Sequence, residues 1–519
     1  MRKPTPTNRR QFLSAAFGIA ATTPHTLLRG FNLTAHLHSA LPGPSALDGA
    51  APDPQEGAVE FESSDKQLVD GFRWAKAQAL AYARTDGTIG PWYEAALPGR
   101  NAFCMRDVSH QSTGAQFLGL GPRTLNMLRR FAANISASKN WCSWWEITRD
   151  NLPAPVDYKN DHDFWYDLPA SFDVMDACYR QWQLSRNDAY LDEVFLNYYE
   201  HTITDYVKAW DHKGDGLLEH LASDGHMGIA TYEEDLQNQI LVGTDLIAAQ
   251  YAAYRAYAAI LRARARPHAA EFDEKADHLK NLYNNHWWDA SHQRYFAAIG
   301  EDGKFNADLK EGDGRCTLEL PLYYGLTTAG PRTEAMLDIM EKRLNTDLTA
   351  PNGVIGGVEG RSYMPDIFYK YGRSRAGYSA LTALMDPNLK RREYPEVSYT
   401  VIGNLCTGLM GISASSIANA IETLPQLTPE TSWAALHHAP VGMNSISVRH
   451  TGLSASTFIN ESGPELTWHA GFPAKSATLV MNGRKVAVKV RTRAGGSTES
   501  YVQVRVKPGE TCTVSVPVG

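Results

Sequence analysis

Apolar residues recur at three- and four-residue spacing over most of residues 60–425, so this stretch reads as a succession of amphipathic helices. The pattern predicts helices over 67–84, 114–134, 171–185, 189–210, 242–261, 269–287, 331–344, 363–371, 374–384 and 398–412. Within 242–261, Leu246, Ala249, Tyr257 and Ile260 fall on one face, and the small alanines between them permit close helix approach. Connections alternate between tight turns such as Arg186-Asn187-Asp188 and long segments rich in Trp, Asp and Gly. That alternation suits helical hairpins set in a ring, with the long loops at one end building a pocket. A helical bundle or a solenoid would contain similar helices, but no fixed repeat period favours the solenoid.

From Asn444 the period changes to two, with strands expected at 445–450, 456–459, 465–469, 477–480, 485–490, 501–506 and 512–516, and Asn482-Gly483 as a hairpin turn. A small all-β, sandwich-like domain over 440–519 is therefore expected. Its alternating polar face carries no catalytic cluster and favours a packing role, with Trp468 read either as core or as a sugar-binding ring. At the other end, Arg9-Arg10-Gln11-Phe12-Leu13 ahead of the short apolar run 14–21 resembles a twin-arginine signal peptide, assigned to 1–23, and 24–60 reads as a linker. The run is too short for a membrane span. The expectation is export through the twin-arginine machinery to the periplasm or medium, with no membrane attachment after signal removal.

Length and charge narrow the chemistry. The 519 residues, 43% hydrophobic, suffice for more than one domain, and 50 basic against 57 acidic residues create no field suited to nucleic acid. Cys104, Cys142, Cys178, Cys316, Cys406 and Cys512 are scattered without close pairing, so neither a thiolate metal site nor a particular disulfide is expected. No HExxH, P-loop, dinucleotide fingerprint or serine elbow occurs, and Asp211 to Gly216 reads as an ordinary Asp/Gly turn; no cofactor or metal is expected.

The candidate chemistry lies where acids stand among aromatics or glycines ahead of a helix. Arg106 and Asp107 follow a Gly/Pro/Trp-rich loop; a carboxylate at a helix start is favoured by the macrodipole and can accept sugar hydroxyls, though an ion-paired surface turn has the same residues. Trp165, Tyr166 and Asp167 look like a sugar subsite, or equally like a helix cap with its aromatics in the core. Glu233 and Glu234, after Tyr232 and before Asp235, form an acidic cluster in which crowding raises one carboxyl's pKa. Glu233 is the candidate general acid, and an acidic first helical turn is the alternative. Glu396, between Pro395 and Val397, is the candidate base, with Glu393 and Asp386 as alternatives; Glu359, in the Gly-rich stretch 353–362, is a further binding acid. Two acids facing one pocket are what cleavage of a glycosidic bond requires.

With these residues in view, 60–425 resembles the six-hairpin glycosidases, which implies a mainly α (α/α)6 toroid. Arg106-Asp107 looks like the sugar-gripping Arg-Asp pair of glucoamylase-type enzymes, Asp167-Leu168-Pro169-Ala170 is similar to their Asp-x-Pro-Ala loop, and Tyr232-Glu233-Glu234 to their aromatic-Glu-Glu element with its general acid. A second likeness is to bacterial α-L-rhamnosidases, in Gly353 to Gly356, in Tyr371-Gly372-Arg373 and in the last helix before a β domain. It favours Glu396 or Glu393 as base and leaves Asp107 as a competing acid; Val108-Ser109 replaces that family's next acid, and its large N-terminal β domains are absent here. The resemblance implies an oligo- or polysaccharide substrate and an inverting mechanism. The same toroid also hosts polysaccharide lyases, sugar epimerases and, by loss of catalysis, sugar-binding scaffolds.

Overall fold

Among the described residues, helices alternate between an outer and an inner position around a closed ring. The computed structural model describes residues 55–225, 227–233, 239–306, 318–349, 357–473 and 475–517. The expected signal peptide, most of the linker, Glu234, Cys316 and the glycines from Gly353 to Gly356 lie outside these residues.

The outer helices are α1 (Lys66–Ala81), α3 (Gly121–Ala133), α5 (Glu193–His201, continuing through a π-helical turn at Thr202–Tyr206 to Trp210), α7 (Ala269–His286), α9 (Pro331–Thr349) and α11 (Ser374–Met385). The inner helices are α2 (Met105–Phe117), α4 (Leu168–Ser185), α6 (Thr244–Ala263), α8 (Glu319–Tyr323), α10 (Val358–Lys370) and α12 (Pro395–Gly403, continued by a π-helical stretch at Asn404–Leu409). Each inner helix packs on the next, α2 on α4, α4 on α6, α6 on α8, α8 on α10 and α10 on α12, and α12 returns to α2. Six hairpins thus close into an (α/α)6 toroid.

Ring closure has a stereochemical requirement at Gly114. A Cβ there would stand 1.9 Å from the carbonyl oxygen of Tyr399, so α2 and α12 meet only because the position carries no side chain. This glycine sits inside α2, whereas the helical pattern placed a helix start there. The expected single helix over 114–134 is in fact two, broken after Phe117 where Gly119 adopts φ +77°.

Four inner helices begin earlier than expected, at Met105, Leu168, Val358 and Pro395. Three of these first turns carry buried charged residues, Arg106 and Asp107, Glu359 and Arg361, and Glu396, which break the amphipathic signal. Capping differs between the two layers. Asp65 and Asp192 close the outer helices α1 and α5 by accepting backbone N–H groups, but no inner helix has a side-chain cap.

The C-terminal region is a pair of facing sheets. One contains β1 (Glu60–Ser63), β4 (Trp433–Val441), β5 (Asn444–Thr451), β6 (Ala455–Ser462), β8 (Thr478–Met481), β9 (Arg484–Ala487) and β12 (Thr511–Ser515), in the order β1-β4-β5-β6-β12-β8-β9. The other contains β2 (Ser413–Ser415), β3 (Ala420–Thr423), β7 (Leu466–Phe472), β10 (Lys489–Thr492) and β11 (Thr498–Val506), in the order β2-β3-β7-β11-β10. The sandwich therefore begins ahead of residue 440 and borrows β1 from before the toroid, in antiparallel register with β4. Asn482 and Gly483, at φ 47° and +81°, make the turn between β8 and β9. Trp468 is fully buried, stacked on Phe458 at 5.0 Å with its indole N–H donating to Thr423 Oγ1 at 2.9 Å, which makes it core. The sandwich is bonded to the toroid by Gly442 N to Leu184 O at 2.7 Å and by His450 Nε2 to Met410 O at 3.0 Å.

Candidate active site

Every inner helix carries a buried acid at its first turn or its N-cap: Asp107 on α2, Asp167 before α4, Asp245 on α6, Glu319 on α8, Glu359 on α10 and Glu396 on α12. Since each inner helix follows an outer one running the other way, these first turns gather at one end of the ring. Positive helix ends there favour the carboxylates that burial disfavours.

Asp107 is bonded from three sides. Tyr394 donates its hydroxyl to Oδ1, the Cys104 thiol donates to Oδ2, and Arg106 Nη2 stands 3.7 Å from Oδ2. Burial pushes the Asp107 pKa up to about 6; Arg106 pulls it down, and the nearby Glu396 raises it. Arg106 also lies over the Tyr232 ring, 5.6 Å from its centroid, which brings the start of α2 against the loop before α6.

That loop is held by Asp245. Its Oδ2 accepts from Thr231 Oγ1 at 2.8 Å and from Tyr232 N at 2.7 Å, and Thr231 Oγ1 in turn accepts from Glu233 N at 3.2 Å. Glu233 is thereby fixed in a buried position at the end of the described loop. Tyr232 reaches across to α4, donating to Asp173 Oδ2 at 3.0 Å, while Tyr324 donates to Asp173 Oδ1. Burial raises the Asp173 pKa to about 7.

Of the three candidate bases, Glu396 is fully buried, whereas Glu393 and Asp386 are exposed, Asp386 accepting from Asn388 N at 2.8 Å. Glu396 Oε1 is 2.5 Å from His110 Nδ1, and its Oε2 is buried with no hydrogen-bond partner among the described residues. Glu359 Oε1 forms an ion pair with Arg391 Nη2 at 2.8 Å. Asp167 stands at the N-cap of α4 with no side-chain capping bond, beside strand 166–167, which pairs with 228–229. Tyr166 is buried among Phe164, Trp210 and His220, at 5.3, 4.8 and 5.7 Å, so its ring packs in the core; Trp165 is half-buried.

The structure adds residues that the sequence pattern passed over. Glu146 sits opposite Cys104 in a short strand pair, with Arg100 Nη2 2.7 Å from its Oε2. Burial, with Asp157 beside it, pushes its pKa up to about 8 against the pull of Arg100. The run Trp144-Trp145-Glu146 meets the same acid-among-aromatics criterion that singled out Asp167. His110 lies one turn beyond Arg106, and Asp245 lies inside the helix expected over 242–261.

No family model matches the sequence, and no curated protein matches it significantly. Solved structures do share its fold. An α-L-rhamnosidase from Dictyoglumus thermophilum superposes with a TM-score of 0.57 at 12% identity, over 89% of this chain and 51% of that one. A rhamnosidase from Bacillus sp. GL1 gives 0.51 at 16% identity, over 78% and 40%. A putative kojibiose phosphorylase from the human microbiome gives 0.51 at 9% identity, over 86% and 63%. The chain thus spans 51% and 40% of the two rhamnosidases' lengths. Together with the ring of six hairpins, these likenesses show that the chain shares an (α/α)6 toroid fold with those structures, here followed by a C-terminal β-sandwich.

Proposed function

We propose that this protein is an exported glycoside hydrolase that cleaves an oligo- or polysaccharide by inversion, with Glu233 as general acid and Glu396 as general base. The observation that carries this reading is the convergence of buried acids at the uncapped starts of the inner helices, with Asp107 raised to about 6 beside Glu396. In an inverting reaction Glu233 gives its proton to the glycosidic oxygen as that bond breaks. Glu396 takes a proton from the water that attacks the anomeric carbon on the opposite face, with the two carboxyls roughly 6.5–9.5 Å apart. Asp107 and Arg106 bind sugar hydroxyls, with Asp167, Glu359, Trp165 and Glu234 contributing further contacts.

The names of the structural neighbours put α-L-rhamnosides first in a substrate panel, followed by other aryl α- and β-glycosides and natural oligosaccharides. Turnover is expected in the wild type, with Glu233→Gln and Glu396→Gln each reduced about 10²–10⁴-fold. If Asp107→Asn is reduced as severely while Glu233→Gln is not, Asp107 is the acid. Saccharide binding without turnover by any of these proteins identifies a binding protein instead. Export is tested by replacing Arg9 and Arg10 with lysine, which should leave the protein in the cytoplasm.

A further inference from the structure

We infer that His110 is the positioning residue for Glu396: its clamped imidazole holds Oε1 and leaves Oε2 to face the attacking water. The inference rests on Glu396 being the base.

His110 Nδ1 lies between Glu396 and Ser362, whose Oγ is farther away at 3.5 Å. His110 Nδ1 is 2.5 Å from Glu396 Oε1, and both side chains are buried. The ring is immobilised by Tyr363, stacked on it at 3.7 Å and 4°, and by Tyr323 edge-on at 5.8 Å and 84°. An imidazole clamped in this way has a single direction in which to offer Nδ1, so the carboxylate it holds is oriented as well. Of the two carboxylate oxygens, only Oε2 has no hydrogen-bond partner among the described residues.

The far edge of the ring faces a second carboxylate. Nε2 is 3.8 Å from Asp366 Oδ2, and Asp366 lines a cavity of about 690 Å³ together with Asp176, Arg180, Tyr251, Lys370 and Arg493. That cavity, which His110 also lines, runs along the later turns of the inner helices and reaches the sandwich. The groups around the ring are Glu396 on α12, Asp366 and Tyr363 on α10, Tyr323 on α8, and Asp173 and Arg180 on α4. Burial by itself would lower the His110 pKa, but Asp366 and Glu396 outweigh it and hold the pKa above that of an ordinary histidine.

The test uses His110→Asn, which keeps a donor close to the place of Nδ1 without the charge, and His110→Ala, which removes both. On the best glycoside found, His110→Asn should move the acidic limb of kcat up by about one pH unit, because the carboxylate has lost its cationic neighbour. His110→Ala should lower kcat about a hundredfold with KM within about threefold of wild type. An unmoved acidic limb in His110→Asn with kcat near wild type overturns the inference, and His110→Asn decides alone if His110→Ala does not fold. A second measurement is independent of turnover. The His110 ring carbon resonance, assigned by its absence in His110→Asn, should titrate above that of an exposed histidine in wild type and fall in Glu396→Gln. The same midpoint in both proteins overturns the pairing, even if no glycoside is turned over and the proposed function fails.

Discussion

Tyr394 donates its hydroxyl to Oδ1 of Asp107, tying the residue before the last inner helix to the first turn of the first one. The bond crosses the seam where the toroid closes and helps Asp107 remain ionised. In Tyr394→Phe the Asp107 pKa should rise further, and the acidic limb of kcat/KM should move up with it if ionised Asp107 binds the sugar. The lost bond should destabilise the protein by about 1 kcal/mol, measured by denaturant unfolding.

The loop bearing Glu233 depends on one hydroxyl, since Thr231 Oγ1 donates to Asp245 and accepts from Glu233 N. Thr231→Val keeps the shape but orphans a buried N–H at about 1–3 kcal/mol and frees the loop. A fall in kcat of about tenfold or more is expected, with the thermal midpoint lowered in parallel. Unchanged kinetics would show that Glu233 needs no such anchor.

Glu319 gives a stability prediction whose sign is opposite to that of an ordinary ion-paired acid. It is fully buried at the start of α8, 3.3 Å from Arg343, and burial raises its pKa from 4.5 to about 7. Between those values the folded protein holds a proton that the unfolded chain has released, so stability falls as pH rises across the window. Glu319→Gln should therefore unfold at a higher temperature than wild type at pH 8, with the difference vanishing below about pH 4.5. A scan of the unfolding midpoint against pH for both proteins checks it.

Trp468 tests the role of the sandwich. Because its ring is buried against Phe458, Trp468→Ala should cost about 3–5 kcal/mol of stability, and Trp468→Phe less. Saccharide affinity of the folded Trp468→Phe protein should match wild type, as checked by calorimetry.

Much of this architecture was legible in the chain because long amphipathic helices and alternating strands announce themselves by period. What escaped was short, polar or distant. Helix α8 has five residues, too few to establish a period, and Pro321 lies within it. Strand β1 is four residues long and finds its partner β4 only across the whole toroid. Gly114 looked like a boundary because a glycine's tolerance of turns and its value at a close helix approach leave the same letter in the sequence.

The sequence by itself determined a ring of amphipathic helices followed by strands, and it marked Arg106, Asp107, Asp167, Glu233, Glu359 and Glu396 as acids and a cation worth watching. Such patterns are local: they follow from which face of each element is apolar and from what precedes a helix. Only the tertiary structure decided that Glu396 is buried against His110 while Glu393 and Asp386 face solvent, that Tyr166 belongs to the core, and that Glu146 shares the neighbourhood of Asp107. The reason is physical. A carboxyl's burial and the charges beside it are set by residues far apart in the chain, brought together only when the six hairpins close the ring.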